Sequence, residues 1–166
     1  ITSYAATFRS GDTVNIEQNL TDLYVAGSTV NINAPVQNDL TVAGGTVNVS
    51  APVSNSLIIA GGSLNIESRV GNTIRAAGGT IRITEPVARD VVAFGGTIIL
   101  DESASVSGDL VVNGGQINVQ APIAGNIYVN GGQVTINSTV GGNVEGEVED
   151  LILGRQAVIN GNLNYT

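Results

Sequence analysis

An all-β chain wound as a parallel β-solenoid is predicted from three features. These are a 17-residue period, aliphatic residues at fixed places within it, and glycine and proline confined to particular steps of it. Seven copies align on a pair of small residues: Gly27-Ser28, Gly44-Gly45, Gly61-Gly62, Gly78-Gly79, Gly95-Gly96, Gly114-Gly115 and Gly131-Gly132. The steps between them are 17, 17, 17, 17, 19 and 17 residues.

Units begin at Asp22 (DLYVAGSTVNINAPVQN), Asp39, Ser56, Thr73, Asp90, Asp109, Asn126 and Asn143, with a shortened unit at Asn162. Residues from about Ala6 to Thr21 form a degenerate first unit, with Val14 and Ile16 in the expected places. The second position runs Leu23, Leu40, Leu57, Ile74, Val91, Leu110, Ile127, Val144, and the ninth and eleventh are equally aliphatic from Val30 and Ile32 to Leu151 and Leu153. The fourth is looser, from Val25 to Gly146; the fifteenth runs from Val36 to Val140, with Val106 and Val158 displaced by insertions. Spacing of two marks a strand with one buried face. Two such pairs and a lone position predict three short strands per coil, each stacked in parallel on its counterpart one coil away.

The apolar gaps within a unit are 2, 5, 2, 4 and 4 residues, unlike the six-residue rhythm of left-handed hexapeptide helices. The expected fold is therefore a right-handed, three-sided parallel β-helix of about eight to nine coils. It forms one domain over residues 1–166: an N-terminal extension at 1–8, coils at 9–163 and a tail at 164–166.

All four prolines, Pro35, Pro52, Pro86 and Pro122, occupy the fourteenth position. Proline lacks a ladder donor and suits a corner or a strand's first residue. The glycine pairs mark a second corner, where positive φ or a close backbone approach is expected.

Composition narrows the function. Aliphatic residues dominate the 42% apolar content, aromatics reach only 4%, and 22 glycines separate them. The chain lacks Cys, His, Met and Trp, and its six basic residues are all Arg, against fourteen acids, for a net charge of −8. That excludes thiolate metal sites and argues against nucleic acid or anionic lipid as electrostatic partners. No run of residues is apolar for the length of a membrane-spanning helix. Ser3-Tyr4-Ala5 ahead of Ala6 has the small-x-small form of a signal-peptidase site.

The repeat breaks in two places. Asp101-Glu102-Ser103-Ala104-Ser105 carries two extra residues, expected as a loop at a corner. The unit from Asn143 to Gly161 is also two residues longer, loses its glycine pair and gathers Glu145, Glu147, Glu149 and Asp150. These carboxylates lack the alternating ligand spacing of a Ca²⁺ loop and read as a solvated edge. Arg69, Arg75, Arg82 and Arg89 lie in two adjacent coils at different repeat positions and read as surface ion-pair formers. The outward third and fifth positions carry Tyr24, Ile58, Val92, Phe94, Val111 and Tyr128, an apolar face suited to lateral contact.

The string D-L-x-V-A-G-G-T-V-N-V, closed by A-P-V as in Asp39–Val49 and Ala51-Pro52-Val53, resembles the bactofilins, the bacterial polymer-forming cytoskeletal family. The resemblance extends from about Arg9 to Leu163. It implies a right-handed triangular β-helix and cofactor-free assembly into filaments by stacking of terminal coils. It also implies attachment to a membrane or cell envelope through segments outside this chain. More coils than the family's usual core, nearly absent tails and the leader-like Ser3-Tyr4-Ala5 set this chain apart. In those respects it is similar to exported, membrane-anchored proteins that share the domain. Two compartments follow: exported, at the cell envelope or surface, or cytoplasmic and membrane-associated.

The expected function is a self-associating structural protein that partners itself as a homopolymer and binds no nucleic acid. A solenoid end exposes unpaired N–H and C=O groups that must be capped or paired. The residues expected to mediate end-to-end association are Phe8, Val14 and Ile16 in the first coil, and Val158, Ile159, Leu163 and Tyr165 in the last. No catalytic, metal or cofactor site is expected. Asp22, Asp39, Asp90 and Asp109 share one repeat position, but Ser56 and Thr73 interrupt them, and short loops build no cleft for a polysaccharide-cleaving enzyme. The alternative is a surface-, polysaccharide- or ice-binding module. Thr29, Thr46, Thr80 and Thr97 form a partial threonine column, but the neighbouring column of Asn31, Asn48, Asn65, Arg82 and Ile99 does not repeat it.

Overall fold

The structure, a computed structural model, describes residues 6–166; the small-x-small site at Ser3-Tyr4-Ala5 lies outside them. Ten strands form a single all-parallel sheet. In spatial order these are β1 (Thr7–Ile16), β2 (Leu23–Ile32), β3 (Leu40–Val49), β4 (Leu57–Ile66), β5 (Ile74–Ile83), β6 (Val91–Leu100), β7 (Leu110–Val119), β8 (Ile127–Ile136), β10 (Val144–Leu153) and β12 (Leu163–Tyr165). Two short strands, β9 (Thr139–Val140) and β11 (Val158–Ile159), pair separately. The result is a parallel β-solenoid of about nine turns; coil 1 carries β1, coil 9 carries β10, and β12 begins coil 10. At ~4.8 Å per coil the stack is about 43 Å long.

Each coil carries one bent ten-residue strand where the sequence suggested two. In β3, Leu40, Val42, Val47 and Val49 are all buried. Positions two and four differ in parity from nine and eleven, so a flat strand would turn one pair outward. The glycine pair between them bends the strand and restores both pairs to the interior. Pairing continues across the bend, with Gly27 beside Gly44 and Thr29 beside Thr46.

The need for glycine at this bend is steric. None of the paired corner glycines has positive φ. A Cβ on Gly44 would lie 2.8 Å from the Gly27 carbonyl oxygen, and one on Gly45 would lie 2.8 Å from that of Ser28. Of the two expectations for this corner, close backbone approach is the one realised.

The third side of a coil is a single bridging residue, or a two-residue strand in coils 8 and 9, rather than a full strand. Leu20, Val36, Val53, Val70, Val87, Val106, Ile123 and Val140 stack in parallel bridges, and β11 continues the column by pairing Ile159 with Val140. Ile159, not Val158, therefore takes the fifteenth position of its coil, and Val158 is left exposed. Both two-residue insertions fall at the same corner, between positions eleven and fifteen. At the first, Ala104 N–H donates to the Asp101 carbonyl at 3.0 Å, and at the second Ala157 N–H donates to that of Gly154 at 3.1 Å.

The thirteenth position is a further inward column. Ala34, Ala51, Ala104 and Ala121 are buried there, and so are Ser68 and Ser138. The two serines are satisfied by donating to the coil before: Ser68 Oγ to the Ala51 carbonyl at 2.8 Å and Ser138 Oγ to that of Ala121 at 2.7 Å. Position one forms a ladder of its own. Asp39 accepts from Ser56 N–H at 3.0 Å, Asp90 from Asp109 N–H at 2.9 Å, Asp109 from Asn126 N–H at 2.7 Å and Asn126 from Asn143 N–H at 2.9 Å. These aspartates tie consecutive coils together.

Candidate self-association surfaces

The two ends of the stack differ in chemistry. Coil 1 begins at Thr7, two residues earlier than the boundary at residue 9. Register with β2 puts Thr7 opposite Leu23 and Arg9 opposite Val25, so polar residues stand where later coils are aliphatic. Arg9 is exposed and donates from Nη1 to the Phe8 carbonyl at 3.1 Å. Val14 and Ile16, expected as an end surface, are buried in the core, with Leu20 partly buried against it. Phe8 lies on an outward position, 71% exposed, with its ring stacked on Tyr24 at 4.9 Å between centroids. It extends the lateral face rather than the end.

The last described coil presents aliphatic residues. β12 pairs only with Val144, Glu145 and Gly146 of β10, and Val148 N–H donates to the Thr166 carbonyl at 2.9 Å. Among the described residues no strand lies beyond Asp150–Leu153, so one edge of that segment is unpaired. Leu151 is half-buried, Ile152 and Leu153 are each 46% exposed, and Leu163 and Tyr165 reach 36% and 52%. Val158 is exposed beside them, while Ile159 is partly buried. Leu151, Ile152 and Leu153 were not expected as surface. Leu151 and Leu153 belong to inward columns, and among the described residues no coil covers them.

A local rearrangement accompanies this end. Gly146 sits opposite Val129 and Val148 opposite Gly131, an exchange of the apolar and glycine positions of earlier coils. Val148 is buried in the corner. Gly146 is the one described residue with positive φ, at 157°, and a Cβ there would collide with the Val129 carbonyl oxygen.

The lateral face follows the third and fifth positions up the sheet. Register aligns Phe8, Tyr24, Thr41, Ile58, Arg75, Val92, Val111, Tyr128 and Glu145 in one row. Ala26, Ala43, Ala60, Ala77 and Phe94 continue the parallel row. Tyr24, Ile58, Phe94 and Tyr128 are exposed, and Val92 and Val111 are half-exposed. Phe94 bounds a shallow trough of about 250 Å³ with Ile58, Ala60, Ala77 and Val92, and Arg75 also lines it.

Glu145, Glu147, Glu149 and Asp150 are strung along β10 around the bend, and among the described residues no three acidic side chains converge as a cation site would require. Of the clustered arginines, Arg82 pairs with Asp101 of the next coil at 2.5 Å; Arg75 has no ion-pair partner among the described residues. The aspartates of position one are engaged by backbone N–H groups rather than converging on a groove. Comparison with family models, curated proteins and solved structures finds no match to this chain.

Proposed function

We propose that this protein is a self-assembling structural scaffold that polymerises through its terminal coils into filaments and needs no cofactor. The reading is supported by the last described coil, where Leu153, Leu163 and Tyr165 stand exposed and the Asp150–Leu153 edge of β10 has no partner among the described residues. A flat, apolar strand edge recruits another strand, because pairing satisfies its amides and removes aliphatic surface from water. At the other end β1 is the outermost strand among the described residues; its Val14 and Ile16, though buried, continue the aliphatic columns, Leu20 follows them, and Thr7 and Arg9 make the rest of that end polar. Such a role is the one implied by the bactofilin resemblance, and it fits an envelope-associated protein.

Negative-stain electron microscopy and sedimentation velocity of the purified chain test it. Filaments, or concentration-dependent growth in sedimentation coefficient, are expected, and Leu153→Glu with Leu163→Glu should shorten or abolish them. A strict monomer at high concentration would overturn the proposal. Phe8→Glu, on the lateral face, should leave end-to-end growth intact.

A further inference from the structure

We infer that the lateral face is an interface between two copies of this chain packed face to face with their solenoid axes antiparallel, centred on coil 7. Charge placement selects this arrangement. The row at position three is apolar or neutral from Phe8 to Tyr128 except for Arg75 in coil 5; it continues with Glu145 in coil 9, with Glu147 beside it at position five, and Asn164 in coil 10. Arg75 is exposed and has no ion-pair partner among the described residues, while Glu145 accepts from Asn143 Nδ2 at 3.3 Å.

Three packings of the face on itself differ in what meets Arg75. Parallel axes place each coil opposite its own copy, so Arg75 meets Arg75 and Glu145 meets Glu145. Antiparallel axes with full overlap put coil 5 on the two-fold axis, and Arg75 again meets itself. Like charges so juxtaposed disfavour both. An axis through coil 7, running along the strands, puts coil 5 opposite coil 9. Arg75 of each copy then meets Glu145 of the other, and both ion pairs flank a centre that is apolar at position three and mixed at position five. In that centre Val111 faces its own counterpart and Val92 faces Tyr128, while Asn113 faces Asn113 and Phe94 faces Asn130 beside them. Coils 1 to 3, with the Phe8–Tyr24 stack, overhang.

Size sets the expected strength. Seven overlapping coils at ~4.8 Å and a strip roughly 14 Å wide cover on the order of 470 Å² per copy, below the ~800 Å² of a stable complex. The association is therefore weak and weakened further by salt, which screens its rim charges. It does not depend on end-to-end growth, and the two are separable.

The test is sedimentation equilibrium and oxidative crosslinking of the full chain carrying Leu153→Glu and Leu163→Glu, which block the end. A concentration-dependent dimer is expected. Arg75→Glu should weaken it by about tenfold, an effect of ~1.4 kcal/mol, and adding Glu145→Arg to Arg75→Glu should restore it. Because the chain has no cysteine, Val111→Cys reports directly on the axis: it should form a disulfide-linked dimer, whereas Ile58→Cys should not. Several results would overturn the inference: a monomer at all concentrations, preferential crosslinking through Ile58→Cys, or no rescue by the double charge reversal. Retention on a linear polysaccharide, lost in Phe94→Ala and without self-association, would assign the stripe to a polymer ligand instead.

Discussion

Glycine at the strand bend and aspartate at position one do work that their side-chain chemistry alone does not announce. A Cβ on Gly78 would lie 2.6 Å from the Gly61 carbonyl oxygen and 3.0 Å from Leu64 Cδ1. Neither backbone nor core can yield cheaply there, so Gly78→Ala should cost about 1–3 kcal/mol, measured by urea denaturation. Asp109 accepts from the backbone N–H of Asn126 at 2.7 Å and from its Nδ2 at 3.2 Å. Asp109→Ala orphans a partly buried amide and should cost about 1–1.5 kcal/mol; Asp109→Asn, which keeps an acceptor, should recover most of it. The share of position one by Asp22, Asp39, Asp90 and Asp109 was visible in the repeat. Its use as a coil-to-coil acceptor was not, because no sequence pattern tells a solvated aspartate from one aimed at the next backbone.

Within a coil, parity decides what can be changed. The two extra residues at Asp101–Ser105 are absorbed at a corner, and Val106 still bridges Val87 and Ile123. Deleting Glu102 and Ser103 should therefore leave a folded protein within about 1 kcal/mol of the parent, since loop length enters closure entropy only weakly. Deleting Gly96 alone is the opposite case. It moves Ile98 and Leu100, both fully buried, onto the outward phase of the strand, and the expected result is an unfolded or aggregated product. Circular dichroism and solubility distinguish the two. The bend itself was legible as a glycine pair between two alternating stretches. The number of strands was not, because continuous hydrogen bonding through a corner depends on how the neighbouring coils bend with it.

Each strand of the solenoid touches only the coils before and after, so stability is expected to vary along the stack. Ile81→Ala in the middle opens a cavity between two covering coils and should cost about 2–5 kcal/mol. Leu153→Ala, at a half-exposed site in the last complete coil, should cost well under that. Amide hydrogen exchange should run in the same order, fastest at Leu151–Leu153 and slowest in β4 to β6. Filament formation through this end should add protection at Leu151–Leu153, and the Leu153→Glu, Leu163→Glu variant should not show it.

The period, the inward columns and the two corners were present in the order of residues, because a coil that stacks on a copy of itself must repeat its own buried pattern. Leu40 and Leu57 announce each other without any knowledge of the third dimension. The surfaces followed a different logic. Phe8 passed from a supposed end to the lateral row, Val14 and Ile16 went into the core, and Leu153 emerged at the edge. Whether an aliphatic column residue is core or surface depends on the presence of a coil beyond it. That is a property of neighbours in space, which a repeating string of amino acids does not distinguish from one unit to the next.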